Sequence, residues 1–170
     1  TTNSPAHFVF GVASGKTRQV LVFLFALMQK GTVQRCLIVC PPTVIKDVWL
    51  KEAYKLLKDF DRLHNSVLVK VASGKNLRER NKIVKKALES DHPRLVITSD
   101  SMLVARPKSK QTNKLFPSNE TFWDDVVVDE AVKNKKTLRY KAIQRITHVQ
   151  THRLMLTATP MQNTLEVRVG

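Results

Sequence analysis

Apolar residues along this chain gather in short continuous runs rather than alternating with polar ones. RCLIVCPP (Arg35 to Pro42), RLVITSD (Arg94 to Asp100), DVVVDEA (Asp125 to Ala131) and RLMLTATP (Arg153 to Pro160) are each apolar through the middle. That is the pattern of strands covered on both faces by helices. SVLVKVASG, Ser66 to Gly74, is a fifth candidate strand closed by a Ser-Gly turn. Between the runs lie helical patterns: Thr17 to Lys30 ended by Gly31, Ile45 to Phe60, Leu77 to Glu89, and Thr137 to Thr147. Strand and helix alternate, which predicts an α/β fold with a mainly parallel sheet and right-handed crossovers. Ligands of such sheets sit beyond the carboxyl ends of the strands. The polar punctuation stands there, because PPT, TSD, DEA and TATP each follow an apolar run.

With 170 residues and 42% hydrophobic content, the chain has the length and apolar material of one domain. RPKSKQTNKLFPSN, Arg106 to Asn119, is polar, basic and Pro-punctuated, and is expected to be a surface loop. The longest apolar run, Val20 to Met28, is flanked by Arg18, Gln19, Gln29 and Lys30 and falls short of the roughly 18 residues of a membrane span. With no signal-peptide pattern at the start, a soluble intracellular protein is expected. Cys36 and Cys40 bracket the apolar LIV on one strand face, which favours buried free thiols in a reducing compartment. The charge balance changes the picture most. Lys plus Arg number 29 against 14 Asp plus Glu, a formal charge of +15 that points to a polyanionic partner such as nucleic acid. A single Lys on a helix face is ordinary solvation, so it is the excess that carries this expectation.

Two short stretches carry candidate chemistry. Ala13-Ser14-Gly15-Lys16-Thr17 offers small residues, a Lys and a hydroxyl directly before an apolar helix. A phosphate loop needs those types: small residues let backbone N–H groups approach the oxygens, the Lys reaches the outer phosphates, and the hydroxyl holds magnesium. The strict spacing G-x-x-x-x-G-K-[ST] would place Gly where Phe10 stands, and a Ser-Gly turn capping a helix explains the same residues. Asp129-Glu130 follows VVV. Adjacent carboxylates at the end of a buried strand need a cation or hydrogen bonds to compensate them. An acidic turn facing solvent is the competing account.

Taken in order, these pieces resemble the first RecA-like lobe of superfamily 2 helicase-type ATPases, most specifically the Swi/Snf-type DNA translocases. SGKTRQVLVFLFAL resembles that family's motif I. CLIVCPPTVIKDVWLKEAYKLL is similar to its motif Ia, including Trp49 and Glu52. RLVITSDSML is similar to its I-T-T-Y-x-x-L segment, VVVDEAVKNKKT to its motif II, and RLMLTATPMQNTLEV to its L-T-G-T-P-x-Q-N-x-L-x-E motif III. RERNKIVKKALESDHPRLVITSDSML and FWDDVVVDEA lie nearest the checkpoint-helicase and Cockayne-syndrome-B-like branch. The resemblance implies a three-layer RecA-like P-loop NTPase lobe that uses ATP and Mg²⁺ on double-stranded DNA, read without sequence preference, in the nucleus. It also implies roles. Ala13, Ser14, Gly15, Lys16, Thr17 and Arg18 would bind the nucleotide, Thr17 and Asp129 magnesium, and Glu130 would activate water, with Lys16 and Asp129 also catalytic. Thr157, Ala158, Thr159 and Gln162 would couple nucleotide state to DNA, and Pro42, Thr43, Thr98 and Ser99 would face the DNA backbone.

The chain also departs from the pattern. Ala13 replaces a Gly, Phe10 and Gly11 replace an acidic pair, Asp100 stands where Tyr is usual, and the His expected after Asp129-Glu130-Ala131 is missing. Losing that His is expected to weaken communication between the magnesium site and motif III. The chain starts just before motif I and stops just after motif III, so the adenine-recognising segment and the second lobe are expected to be absent. A DNA-dependent ATPase in a full-length context, weak as an isolated lobe, is the leading expectation. A degenerate DNA- or protein-binding fragment without turnover, an unrelated P-loop enzyme and a nonfunctional truncated product are the alternatives. Trp49, Phe60 and Trp123 are read as packing rather than base-stacking residues.

Overall fold

The computed structural model describes residues 8–10, 15–60, 66–72, 76–103, 123–129, 138, 141–142, 146 and 152–156. Six strands form one sheet: β1 (Phe8–Phe10), β2 (Arg35–Cys40), β3 (Leu68–Val71), β4 (Arg94–Ser99), β5 (Asp125–Asp129) and β6 (His152–Leu156). Their order across the sheet is β1-β6-β5-β2-β4-β3, and every pairing is parallel. All carboxyl ends therefore share one edge. Helices α1 (Lys16–Gln29), α2 (Lys51–Leu57) and α3 (Leu77–Leu88) make the crossovers.

The unbroken apolar runs have the expected cause. Along β2, Cys36, Ile38 and Cys40 enter a cluster with Val20, Leu21, Leu24 and Phe25 of α1 and Ala53 and Leu56 of α2. Leu37 and Val39 point the other way, into a second cluster with Val84, Ala87 and Leu88 of α3 and with Ala142 and Ile146. Side chains alternate across a strand, so a strand between two helical layers must be apolar at every position. The layers are thus helix, sheet, helix. Leu138, Lys141, Ala142 and Ile146 are helical, within the expected fourth helix.

Local signals place the helix ends. Gly31, at φ 75°, stops α1; its N–H donates to Met28 O, and Thr32 N–H reaches back to Leu27 O, each at 3.0 Å. These paired bonds satisfy carbonyls that the helix end leaves open, and the left-handed residue between them favours Gly. Asn76 caps α3 by accepting from Glu79 N–H at 2.9 Å. The second helix differs from expectation. Ile45–Leu50 forms a π-helical turn before α2 begins, with Lys51 N–H donating to Lys46 O five residues back. A 3.6-residue hydrophobic period does not distinguish such a turn from an α-helix.

Cys36 and Cys40 are buried free thiols. Trp49 and Trp123 are fully buried, and Phe60 meets Phe25 edge-on with ring centroids 5.7 Å apart. No described helix is long and apolar enough to cross a membrane. The expected surface loop at 106–119 lies outside the described residues.

Candidate functional site

Helix α1 starts at the carboxyl edge of the sheet, behind Gly15. Gly15 adopts φ 122°, a conformation that side chains rarely adopt, and a Cβ built there would meet no heavy atom within 4 Å. Among the described residues no side chain caps α1, and its first turn holds no acidic residue, so the partial positive charge of a 14-residue helix points to that edge. Lys16 and Thr17 are half-buried in the first turn. Arg18 points elsewhere: its guanidinium donates to Glu52 Oε1 at 3.2 Å and ties α1 to α2, so a nucleotide would have to compete with Glu52 for it.

Asp129 ends β5 at the same edge, in register with Leu156 of β6. It is half-buried, and its Oδ2 accepts a 2.8 Å hydrogen bond from the indole Nε1–H of Trp49. Oδ1 accepts nothing from the described residues. Asp129 also makes itself felt at Cys40 on the neighbouring strand: burial first, then the carboxylates of Asp129 and Asp100, push the Cys40 thiol up to about 12. Cys40 is therefore a protonated packing group. The indole contact was not legible in the sequence, where Trp49 reads as packing. It is packing, at 0% exposure, and a hydrogen-bond donor as well.

Pro42 and Thr43 are exposed in a 3₁₀ turn, Pro42–Val44, immediately beyond β2. Thr98 and Ser99 correct the expectation that they face DNA. They are 2% and 0% exposed. Thr98 Oγ1 donates to Ala72 O at 3.1 Å, just past β3, and Ser99 Oγ pairs with Ser101 Oγ at 3.1 Å. At this end β2 pairs β4 as far as Ser99, while Ala72, just past β3, bonds to both Ile97 O and the Thr98 hydroxyl. Asp100, a departure from the family pattern, has a local job: its Oδ1 accepts from Ser101 N–H at 2.7 Å and shapes the 3₁₀ turn Asp100–Met102. Ala13, Ser14, Glu130, Thr157, Ala158, Thr159 and Gln162 lie outside the described residues.

The donors present suit a magnesium ion. A Thr hydroxyl and a carboxylate with one oxygen that accepts nothing from the described residues are hard oxygen ligands, the kind that Mg²⁺ takes alongside phosphate oxygens and water. The six-stranded, all-parallel sheet with helices on both faces is an α/β lobe of the RecA-like class, with a positive-φ Gly, a helix start and a strand-end Asp on one edge.

Comparison with known proteins narrows the class. A family model described as the SNF2-related domain matches residues 11–167, and the chain belongs to that family. The SNF2 domain-containing protein ENL1 of Oryza sativa subsp. japonica is 31% identical over 159 residues, covering 89% of this chain and 15% of that protein. The human DNA excision repair protein ERCC-6-like is 30% identical over 152 residues, covering 89% and 11%. The Schizosaccharomyces pombe ATP-dependent helicase fft1 is 31% identical over 154 residues, covering 89% and 14%. This chain thus spans 11% to 15% of the length of these relatives. Among solved structures, the Sulfolobus solfataricus SWI2/SNF2 ATPase core in complex with dsDNA shares the fold, with a TM-score of 0.61 and 24% identity over 91% of this chain and 27% of that one.

Proposed function

We propose that this chain is the ATP-binding lobe of an ATP-dependent double-stranded DNA translocase that works in the nucleus on chromatin remodelling or DNA repair. One observation carries the reading: the start of α1 behind Gly15, without a side-chain cap among the described residues, lies on the same sheet edge as Asp129. In this account Gly15, Lys16 and Thr17 receive the phosphates, with Ala13 and Ser14 completing the loop. Thr17 and Asp129 hold magnesium, which supplies charge neutralisation at the phosphates. Glu130 orients and deprotonates the attacking water. Thr157, Ala158, Thr159 and Gln162 couple nucleotide state to DNA, which Pro42 and Thr43 meet at the backbone.

The names of similar proteins support this reading, since one is an ATP-dependent helicase, one a DNA excision repair protein, and one structure holds dsDNA. So does the formal charge of +15, which favours a polyanion and predicts binding that is tolerant of sequence and weakened by salt. Stimulated hydrolysis in these enzymes draws on a second RecA-like lobe, so this lobe alone is expected to bind ATP better than it cleaves it.

Titration of the folded protein and its Lys16→Ala variant with a fluorescent ATP analogue, with and without Mg²⁺, tests the proposal. Saturable, Mg²⁺-dependent binding lost in Lys16→Ala is the expected result. A folded wild type that binds no nucleotide refutes it and leaves a basic scaffold without turnover.

A further inference from the structure

We infer that Trp49 is a positioning residue for the magnesium carboxylate. It holds Oδ2 of Asp129 through its indole N–H and so presents Oδ1 to the metal side of the site. The inference rests on the nucleotide reading above and deepens it.

The chemistry of the donor is the first argument. An indole N–H donates a single hydrogen bond, carries no charge and accepts nothing. It can fix the rotation of a carboxylate without neutralising it. A guanidinium or ammonium in its place would supply the charge that a metal ion has to supply. The protein does place a cation on a neighbouring carboxylate, but at the opposite edge, where Arg35 pairs with Asp124. At Asp129 the partner is neutral and 0% exposed.

The second argument is the backbone that delivers it. Trp49 sits in the π-helical turn Ile45–Leu50, a wide turn that is rare in proteins and recurs at functional sites. The same short segment reaches both halves of the site. Trp49 grips Asp129 on β5, and three residues on, Glu52 grips Arg18 in the first turn of α1, next to Thr17. Trp49 also packs in one apolar cluster with Val20, Leu21 and Leu24 of α1. The two expected magnesium ligands, which stand on different elements, are thereby held in one frame by residues 49–52. A tryptophan that only filled space would need neither the hydrogen bond nor its aim at a strand-end carboxylate.

Trp49→Phe removes the N–H and keeps an aromatic ring. Binding of a fluorescent ATP analogue is measured against free Mg²⁺ concentration in wild type and Trp49→Phe, with circular dichroism as the check on folding. The expected result is unchanged affinity without Mg²⁺ and a requirement for about 10- to 100-fold more Mg²⁺ to reach the same gain in binding. A Trp49→Phe protein with the wild-type Mg²⁺ dependence overturns the inference and leaves the nucleotide site intact. A wild type that binds no nucleotide overturns both.

Should Trp49→Phe not fold, the wild type carries the test by NMR. The indole N–H resonance of Trp49 is recognised as the one displaced in Asp129→Asn, and it is expected to shift when Mg²⁺ is added to the nucleotide-bound protein. An indole signal that ignores Mg²⁺ overturns the inference.

Discussion

At the amino edge of the sheet, Asp124 Oδ2 accepts from the backbone N–H groups of Gln34 and Arg35 at 2.9 and 2.8 Å, and Oδ1 accepts from the Arg35 guanidinium at 3.4 Å. Its neighbour Asp125, 1% exposed, meets His152 Nδ1 at 2.9 Å. Both oxygens of Asp124 are taken up by protein donors, and the two carboxylates join the start of β5 to β2 and β6. At the carboxyl edge, Asp129 ends the same strand with one neutral donor on Oδ2 and nothing from the described residues on Oδ1. The two ends of a five-residue strand thus put the same functional group to opposite uses. Where both oxygens accept from the protein, as at Asp124, the carboxylate's work is structural. At Asp129 one oxygen is held by an uncharged donor and the other accepts nothing from the described residues, which suits the ligand role proposed for it.

If that division is right, substitutions at the two edges fail in different ways. Lys16→Ala should have the largest effect, abolishing nucleotide binding in a fluorescence titration while leaving the urea midpoint near that of the wild type. Asp124→Ala should do the reverse. Losing two backbone partners and a guanidinium should cost about 2–4 kcal/mol in urea unfolding, with no change in nucleotide affinity of whatever protein remains folded. Comparable losses of binding and stability in both variants would break the comparison.

Asp125 sharpens it through pH. Burial is the largest influence and raises its carboxyl above the ordinary value, against the opposing pull of the His152 charge and hydrogen bond and with a smaller push from Asp124. A raised folded-state value means that the folded protein holds this proton more tightly than the unfolded chain. Its contribution is therefore fully present below the ordinary value of 3.8 and is lost as pH rises through the raised one. Asp125→Asn should flatten the fall of stability with pH in that window, as followed by urea midpoints across a pH series. An unchanged slope would show that Asp125 is not titrating there. The smallest effect is expected at the exposed pair between α1 and α2. Arg18→Ala should cost about 0–1 kcal/mol in stability, and it should leave nucleotide affinity unchanged if Arg18 serves Glu52 rather than phosphate.

What the sequence showed and what it hid follow from how far each interaction reaches along the chain. The β2, β4 and β5 runs were legible because a strand between two helical layers is apolar at each position, a local property. The ends of α1 and α3 were legible because Gly31 and Asn76 act within a few residues of themselves. Trp49 was not, because its partner Asp129 lies 80 residues away and an indole in an apolar helix pattern looks like packing until its N–H is located. The π-helical turn that aims it leaves no mark on the hydrophobic period. Thr98 and Ser99 misled for a related reason. Polar residues at a strand end read as exposed, but Thr98 and Ser99 are buried, and Ala72 O just past β3, 26 residues away, takes the Thr98 hydroxyl. The family resemblance placed Gly15 to Thr17 and Asp129 by motif, and the parallel sheet puts them on one edge.

Hydrogen exchange on the wild-type protein, with and without an Mg²⁺-bound nonhydrolysable ATP analogue, tests the division between the edges most directly. The account predicts slowed exchange at Lys16, Thr17 and Arg18 and around Val128 and Asp129, with Gln34, Arg35, Asp124 and Asp125 unchanged. Protection confined to the amino edge, or none anywhere in a folded protein, would contradict it.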